Sequence, residues 1–235
     1  MKSRNNPSIS IIIPVLNEES YVVKLLEYIQ ENGNSSNIKE VLVVDGGSTD
    51  GTVTAALKYD AVVLHSEKGR AKQMNYAAKH AAGDLLYFLH VDTFPPKNFD
   101  KMIIAAIQKG DEAGCFRMKF DSSSRFLKFF SWFSRINHCI CRGGDQSLFI
   151  TRELFRKAGG YNEDYKVYED NEFIGRLYKL TNFRILPEKV QTSARKYEEI
   201  GKLKLQYYFG IIHLKKYLGA DPDDLYQYYK KKIST

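Results

Sequence analysis

Cysteine is scarce in this chain of 235 residues, with only Cys115, Cys139 and Cys141 present. Three thiols cannot build the disulfide framework of a small secreted fold, and they suit a reducing compartment. Cys139-x-Cys141 is half of a zinc motif, but no second Cys/His pair stands at a suitable spacing, so zinc is not expected. Also missing is any apolar run near the roughly 20 residues that a membrane span needs. The polar stretch Met1 to Asn6 leads straight into a strand-like run, so no secretory signal is expected. No glycine-rich turn follows that run, which argues against a dinucleotide-binding fold, whose pyrophosphate turn needs glycines there. Repeats and low-complexity tracts are absent. What remains is an ordinary globular composition, 43% hydrophobic and 27% charged. It suits one large domain, or one domain with a helical appendage.

The charge is unevenly placed. Of a formal +7, the segment from Arg117 to Arg142 holds six basic residues and one acid, and the segment from Arg195 onward nine and five. The rest of the chain is slightly acidic. A basic excess of this kind meets nucleic acid or an anionic membrane surface.

Ile9 to Val15 is apolar and β-branched, a first strand with Pro14 tolerated near its end. Asn17 is placed to cap the next helix, with Glu18 and Glu19 in the first turn, where carboxylates suit the helix dipole. Glu40 to Val44 reads as a second strand that ends on Asp45-Gly46-Gly47-Ser48-Thr49-Asp50-Gly51, where the glycines permit a tight turn. Ala61 to Leu64 is a short third strand, and Arg70 opens a helix with Met74, Ala77, Ala78 and Ala81 on one stripe. Leu85 to Thr93 is a fourth run, apolar until His90-Val91-Asp92-Thr93. Residues two apart on a strand share a face, so His90 and Asp92 are expected to point the same way. Continuous apolar runs are strands buried on both faces, as in a parallel sheet, whose carboxyl edge binds ligands. Four strand–helix units predict a doubly wound, mostly parallel α/β sheet.

The second half is less regular. Ala113 to Phe120 alternates like an edge strand, and Phe126, Phe129, Phe130, Phe133, Ile136 and Ile140 fall at helical spacing. Glu169-Asp170-Asn171-Glu172 opens a helix that buries Phe173, Ile174 and Leu177. Phe183 to Leu186 and Val190 to Ser193 look like closing strands, and two aromatic, Lys-rich helices follow, the last starting at Asp221-Pro222. On the residues alone, Asp45 and Asp92 are either turn braces or carboxylates that grip a hard cation against phosphates. The acids from Glu169 either serve the helix dipole or do chemistry. Arg70 is either solvated or a phosphate contact.

In this order the motifs resemble the family 2 inverting glycosyltransferases with the GT-A fold, within them a small soluble branch reading H-x-D-T in place of D-x-D. The resemblance runs from about Ile9 to Arg195. It implies a GT-A domain over residues 1–195, with 196–235 a helical extension packed on it. It also implies a UDP- or GDP-sugar donor held by Pro14, Asn17, Glu18, Asp45 and Gly46, with Arg70 near the phosphates. Asp92, by resemblance, holds Mg²⁺ or Mn²⁺ against the diphosphate. Asp170 matches the general base that deprotonates an acceptor hydroxyl for a single inverting displacement. Glu169 supports it electrostatically, Asp145 and Gln146 resemble the acceptor-side loop, and Arg195 reaches a donor phosphate. His90 is a departure. A neutral imidazole brings no charge and magnesium prefers oxygen ligands, so His90 is expected on the donor ribose or a phosphate.

Two rival readings face objections. A nucleotidyltransferase needs a glycine-rich basic loop after the first strand, where Asn17-Glu18-Glu19 repels a triphosphate. A non-enzymatic basic module could stack nucleic acid on its sixteen tyrosines, but the acids gather at strand ends while the basic excess lies elsewhere. No nucleic-acid partner is expected. The basic aromatic segments Arg125 to Cys141 and Lys202 to Leu218 have three readings: a peripheral membrane contact that presents a lipid-linked acceptor, a mutual packing surface, or a homodimer interface. The acceptor is accordingly a small molecule or lipid-linked, and the expected location is cytoplasmic, reaching the inner face of the cell membrane in the first reading.

Overall fold

The computed structural model describes residues 6–233; the opening Met1 to Asn5 of the polar stretch lies outside the described residues. β1 (Ile9–Val15) pairs in parallel with β2 (Ile38–Asp45) and β4 (Leu85–Phe88), and β2 with β3 (Val62–His65). β1 and β4 are buried along their whole length because both faces are covered, whereas β2 is buried only from Leu42 onward and β3, at the edge of the sheet, leaves Val62 and His65 exposed. Ile9, Ile11, Ile13 and Val15 of β1 enter one core together with Tyr87 and the buried stripes of α1 (Glu19–Asn32) and α4 (Phe99–Gln108). Ile12 joins Leu42, Val44, Leu86 and Phe88 on the other face, under α3 (Arg70–His80), α6 (Arg152–Lys157) and α7 (Glu169–Leu180). Between β2 and β3 the connection is the short α2 (Thr52–Ala56).

Beyond β4 the sheet turns mixed. β7 (Leu148–Thr151) runs antiparallel to β4, and β6 (Ala113–Phe120) antiparallel to β7. β8 (Arg184–Thr192) is parallel to β6, and the short β5 (Thr93–Phe94) closes the order β3-β2-β1-β4-β7-β6-β8-β5. Three expectations are corrected here. β6 lies inside the sheet rather than at its edge, consistent with the burial of Ala113 to Phe116 on both faces. The two closing strands are one, bent where its register against Phe116 and Arg117 shifts. The aromatic segment from Arg125 is helical only as α5 (Arg125–Trp132) and continues in isolated 3₁₀ turns. The reason is Arg142, whose buried guanidinium donates to the carbonyls of Ser134 and Ile136 (2.9 and 2.6 Å).

The chain ends in α8 (Arg195–Ile200), α9 (Lys202–Tyr217) and α10 (Pro222–Lys232). Asp221 caps the last by accepting the Asp224 N–H at 2.8 Å. These helices build a small core of their own, in which Leu205, Ile212 and Leu225 meet Tyr165 and Val167. Among the described residues no helix is long and apolar enough to cross a membrane.

Candidate active site

β1 and β2 end side by side, Val15 opposite Asp45, and the loops that leave them are laced together. Asn17 sits in the left-handed region at φ 55°, which asparagine tolerates. Its Oδ1 accepts the Thr49 N–H (2.8 Å) and its own N–H donates to Ser48 Oγ (2.9 Å). Asn17 is therefore a brace between loops and not the cap of α1, which starts after Glu18 without a side-chain cap. Asp45 is buried, and its carboxylate accepts the N–H groups of Gly47 and Ser48 at 3.0 Å each. Burial pushes its pKa up, but these bonds outweigh it and hold the carboxyl below its ordinary value. Gly46 packs on Gln73, whose amide donates to the carbonyls of Val15 and Val44 (2.9 and 2.7 Å). No sequence motif marks Gln73; its role comes from the strand-end carbonyls that splay apart above it.

β4 stops at Phe88, earlier than expected. Leu89 gives its N–H to Ile12, and residues 90–92 turn, closed by the Thr93 N–H on the His90 carbonyl (3.0 Å). His90 and Asp92 are thus turn residues rather than neighbours on a strand. Ser193 N–H donates to the Asp92 carbonyl (3.1 Å), which pins the turn to the end of β8. A cleft of about 820 Å³ opens over these ends. Pro14, Glu18, Arg70, His90, Asp92, Asp145, Gln146, Glu169, Asp170 and Arg195 all line it. Asn17, Asp45 and Gly46 do not: they act behind its wall, in the lacing described above.

The charges in the cleft are paired. Glu169, 1% exposed, brings Oε1 within 2.6 Å of Arg70 Nε; burial raises its pKa and Arg70 opposes that rise. His90 lies between Asp170 (Nε2–Oδ2 3.4 Å) and Asp145 (Nδ1–Oδ1 3.7 Å). These distances make ion pairs rather than good hydrogen bonds, and Nε2 has no hydrogen-bond acceptor. Burial pushes the imidazole down, yet the two carboxylates outweigh it and lift it to about 10. The flanking carboxylates thus favour the imidazolium, where the sequence reading took the ring as neutral. Burial likewise pushes Asp170 up, but His90 and Arg70 hold its carboxyl below the usual range, and the N-terminus of α7 favours the same charge. Tyr168, just before it, is held at φ 71°, a strained conformation for a bulky residue.

Arg195 sets its guanidinium bidentate on Glu18 (Nη1–Oε2 2.8 Å, Nη2–Oε1 2.5 Å) and 3.4 Å from Asp92 Oδ2. The Asp92 carboxyl is raised by burial first and by Asp145 next, against the pull of His90 and Arg195. Gln146 is buried and accepts from Arg142, so it braces the loop it was expected to present. Lys68 and Lys196 also line the cleft; sequence reasoning passed over Lys196 and Arg142, which sit among many similar cations with no motif around them.

The family model described as glycosyl transferase family 2 matches residues 10–179. Succinoglycan biosynthesis protein ExoA of Rhizobium meliloti (strain 1021) is 27% identical over 192 residues, covering 72% of this chain. The match spans only 57% of that relative's own length. Among solved structures, S. aureus TarS 1-349 in complex with UDP superposes with a TM-score of 0.67 at 22% identity, over 79% of this chain and 60% of that one. Mannosyltransferase PcManGT from Pyrobaculum calidifontis, in complex with GDP-Man and Mn²⁺, superposes with a TM-score of 0.70 at 19% identity, over 98% and 69%.

Proposed function

The chain belongs to glycosyl transferase family 2, and from that premise we propose that it moves a sugar from a nucleoside-diphosphate donor to an acceptor hydroxyl with inversion. Family membership answers the two rival readings, a nucleotidyltransferase and a non-enzymatic module. The observation that carries the proposal is that Asp92 and Asp170, far apart in sequence, line one cleft with Arg70 and His90. UDP in the TarS complex and GDP-Man with Mn²⁺ in the PcManGT complex support a UDP- or GDP-sugar here.

In this reading Pro14 and Glu18 face the nucleoside, and Asn17, Asp45 and Gly46 fix the loop behind them. Arg70 and Lys68, at the start of α3, face the diphosphate. Asp92 suits a hard divalent cation, Mg²⁺ or Mn²⁺. Its carboxylate accepts no hydrogen bond among the described residues, and burial first and Asp145 next raise its pKa, a charge cost that a cation relieves. No group of three His, Cys, Asp or Glu side chains forms a closed cage among the described residues; such ions accept one protein carboxylate when phosphates and waters complete the shell. When bound, the ion neutralises charge on the departing nucleoside diphosphate. Asp170, kept ionised by His90 and Arg70, takes the acceptor's proton as its oxygen attacks the anomeric carbon. Glu169 holds Arg70 in place. Asp145, on the rim, and the aromatic wall of Phe130, Phe133 and Phe209 face the acceptor. We assign residues 1–195 to the transferase domain of the H-x-D-T branch, with 196–235 an extension that closes the cleft through Lys196 and Tyr197.

Asp170→Asn should keep the thermal shift given by UDP or GDP with Mn²⁺, while transfer falls by about 10²–10⁴-fold. Asp92→Ala should lose the Mn²⁺-dependent part of that shift. Full transfer by Asp170→Asn would refute the base assignment.

A further inference from the structure

α9 carries apolar residues on two opposite faces. Leu205 and Ile212 are buried in the C-terminal core. Leu203, Tyr207, Leu214, Tyr217 and Leu218, at gaps of four, seven, three and one residues, lie along the opposite side and stand between 51% and 88% exposed. Lys202, Lys204 and Lys215 flank this outer stripe, Lys216 turns inward to Tyr165, and no carboxylate occurs between Glu199 and Asp221. α5 and the turns after it repeat the design. Phe129, Trp132, Ile136 and Ile140 are exposed beside Arg125, Lys128 and Arg135, and no carboxylate occurs between Asp121 and Asp145. Both elements border the same cleft, through Phe130 and Phe133 on one side and Phe209 and Gly210 on the other.

We propose that these two outward stripes are a docking surface for an anionic phospholipid bilayer. Interfacial helices bury an apolar stripe at the headgroup boundary while flanking lysines meet anionic lipid. The charge pattern selects this occupant over a second copy of the chain. A two-fold contact sets the same patch against itself, so the lysines and arginines of one copy would face those of the other with no acid in either segment to meet them. The stripes' place beside the cleft brings its acceptor side to the lipid surface. The docking surface itself stands on exposure and charge and does not rest on the transfer reaction.

The test is flotation of the full chain with phosphatidylcholine vesicles, with and without phosphatidylglycerol, alongside sedimentation analysis without lipid. The chain should float with phosphatidylglycerol vesicles and much less with phosphatidylcholine alone. The double variant Leu214→Glu/Leu218→Glu should reduce that binding by at least about tenfold, while the UDP or GDP thermal shift with Mn²⁺ stays unchanged. Absence of flotation, binding indifferent to phosphatidylglycerol, an undiminished double variant, or a dimer in place of vesicle binding would each overturn the proposal. A lost nucleotide shift in the unaltered chain would count against the transferase reading alone.

Discussion

Replacing His90 with glutamine removes a positive charge from between Asp145 and Asp170 while keeping a polar side chain of similar reach. At the 3.4 Å separation of His90 and Asp170, one charge pair is worth about 5 kcal/mol at an effective dielectric near 20. The rise of the imidazole from 6.5 to about 10, at about 1.4 kcal/mol per pH unit, gives a similar size. Both figures describe one interaction and count once, and with the side chain 13% exposed solvent screens little of it. A group whose pKa is raised by folding contributes its full stability below the unfolded value of 6.5 and loses it as the pH climbs through about 10. Urea unfolding of the wild-type chain and of His90→Gln should therefore differ most below pH 6.5, and the difference should shrink by up to about 5 kcal/mol on the way to pH 10. Asp170 moves in the opposite sense: without the imidazolium its pKa rises, and the acid limb of kcat/KM shifts to higher pH. A stability difference that stays flat across this window would refute the imidazolium, and an unmoved acid limb would break its link to Asp170.

Two further substitutions probe the frame. A Cβ at Gly144 would overlap Asp170 Oδ2 and the His90 ring. Gly144→Ala should therefore cost about 1–3 kcal/mol by overpacking and reduce transfer far more than nucleotide binding, read by melting temperature, turnover and thermal shift together; equal losses in both would refute a local effect on the base. Arg142→Met leaves the Ser134 carbonyl without this donor, at about 1–3 kcal/mol, while the Ile136 carbonyl keeps the His138 N–H; an unchanged urea midpoint would show that the segment holds its shape without it.

The parallel half of the sheet was legible because β1, β4 and the second half of β2 are buried on both faces, which leaves an apolar run that few other elements produce. The order of the second half was not. β6 shows an alternating pattern on its outer residues, and nothing in that pattern says which strands flank it. The resemblance implied that Asp45, Asp92 and Asp170 converge on one cleft; Asp92 and Asp170 line it, with Glu169 beside them, and Asp45 is not among its lining residues. The partners that set their charge were not legible, because Arg70, His90 and Arg195 meet them through contacts across 80 to 103 residues. Asp45 shows the limit most plainly. A carboxylate at a strand end can face a ligand, close its own turn or do both, and only the positions of the Gly47 and Ser48 amides show that Asp45 closes its turn.

Arg195 follows from the same pairing. Its expected contact was a donor phosphate, yet its two terminal nitrogens are on Glu18 and one of them also faces Asp92. Reaching a phosphate would strip Glu18 of a bidentate cation and leave two carboxylates facing each other beside an incoming dianion. A divalent ion on Asp92, as proposed above, would meet the same dianion while leaving the bidentate Arg195–Glu18 pair in place. Arg195 is therefore better understood as the tie that fixes the β1 loop to the Asp92 turn. Glu18 is the last residue before α1, and Asp92 is anchored to β8 through Ser193. One guanidinium thus sets the spacing between the β1 loop and the turn that carries Asp92.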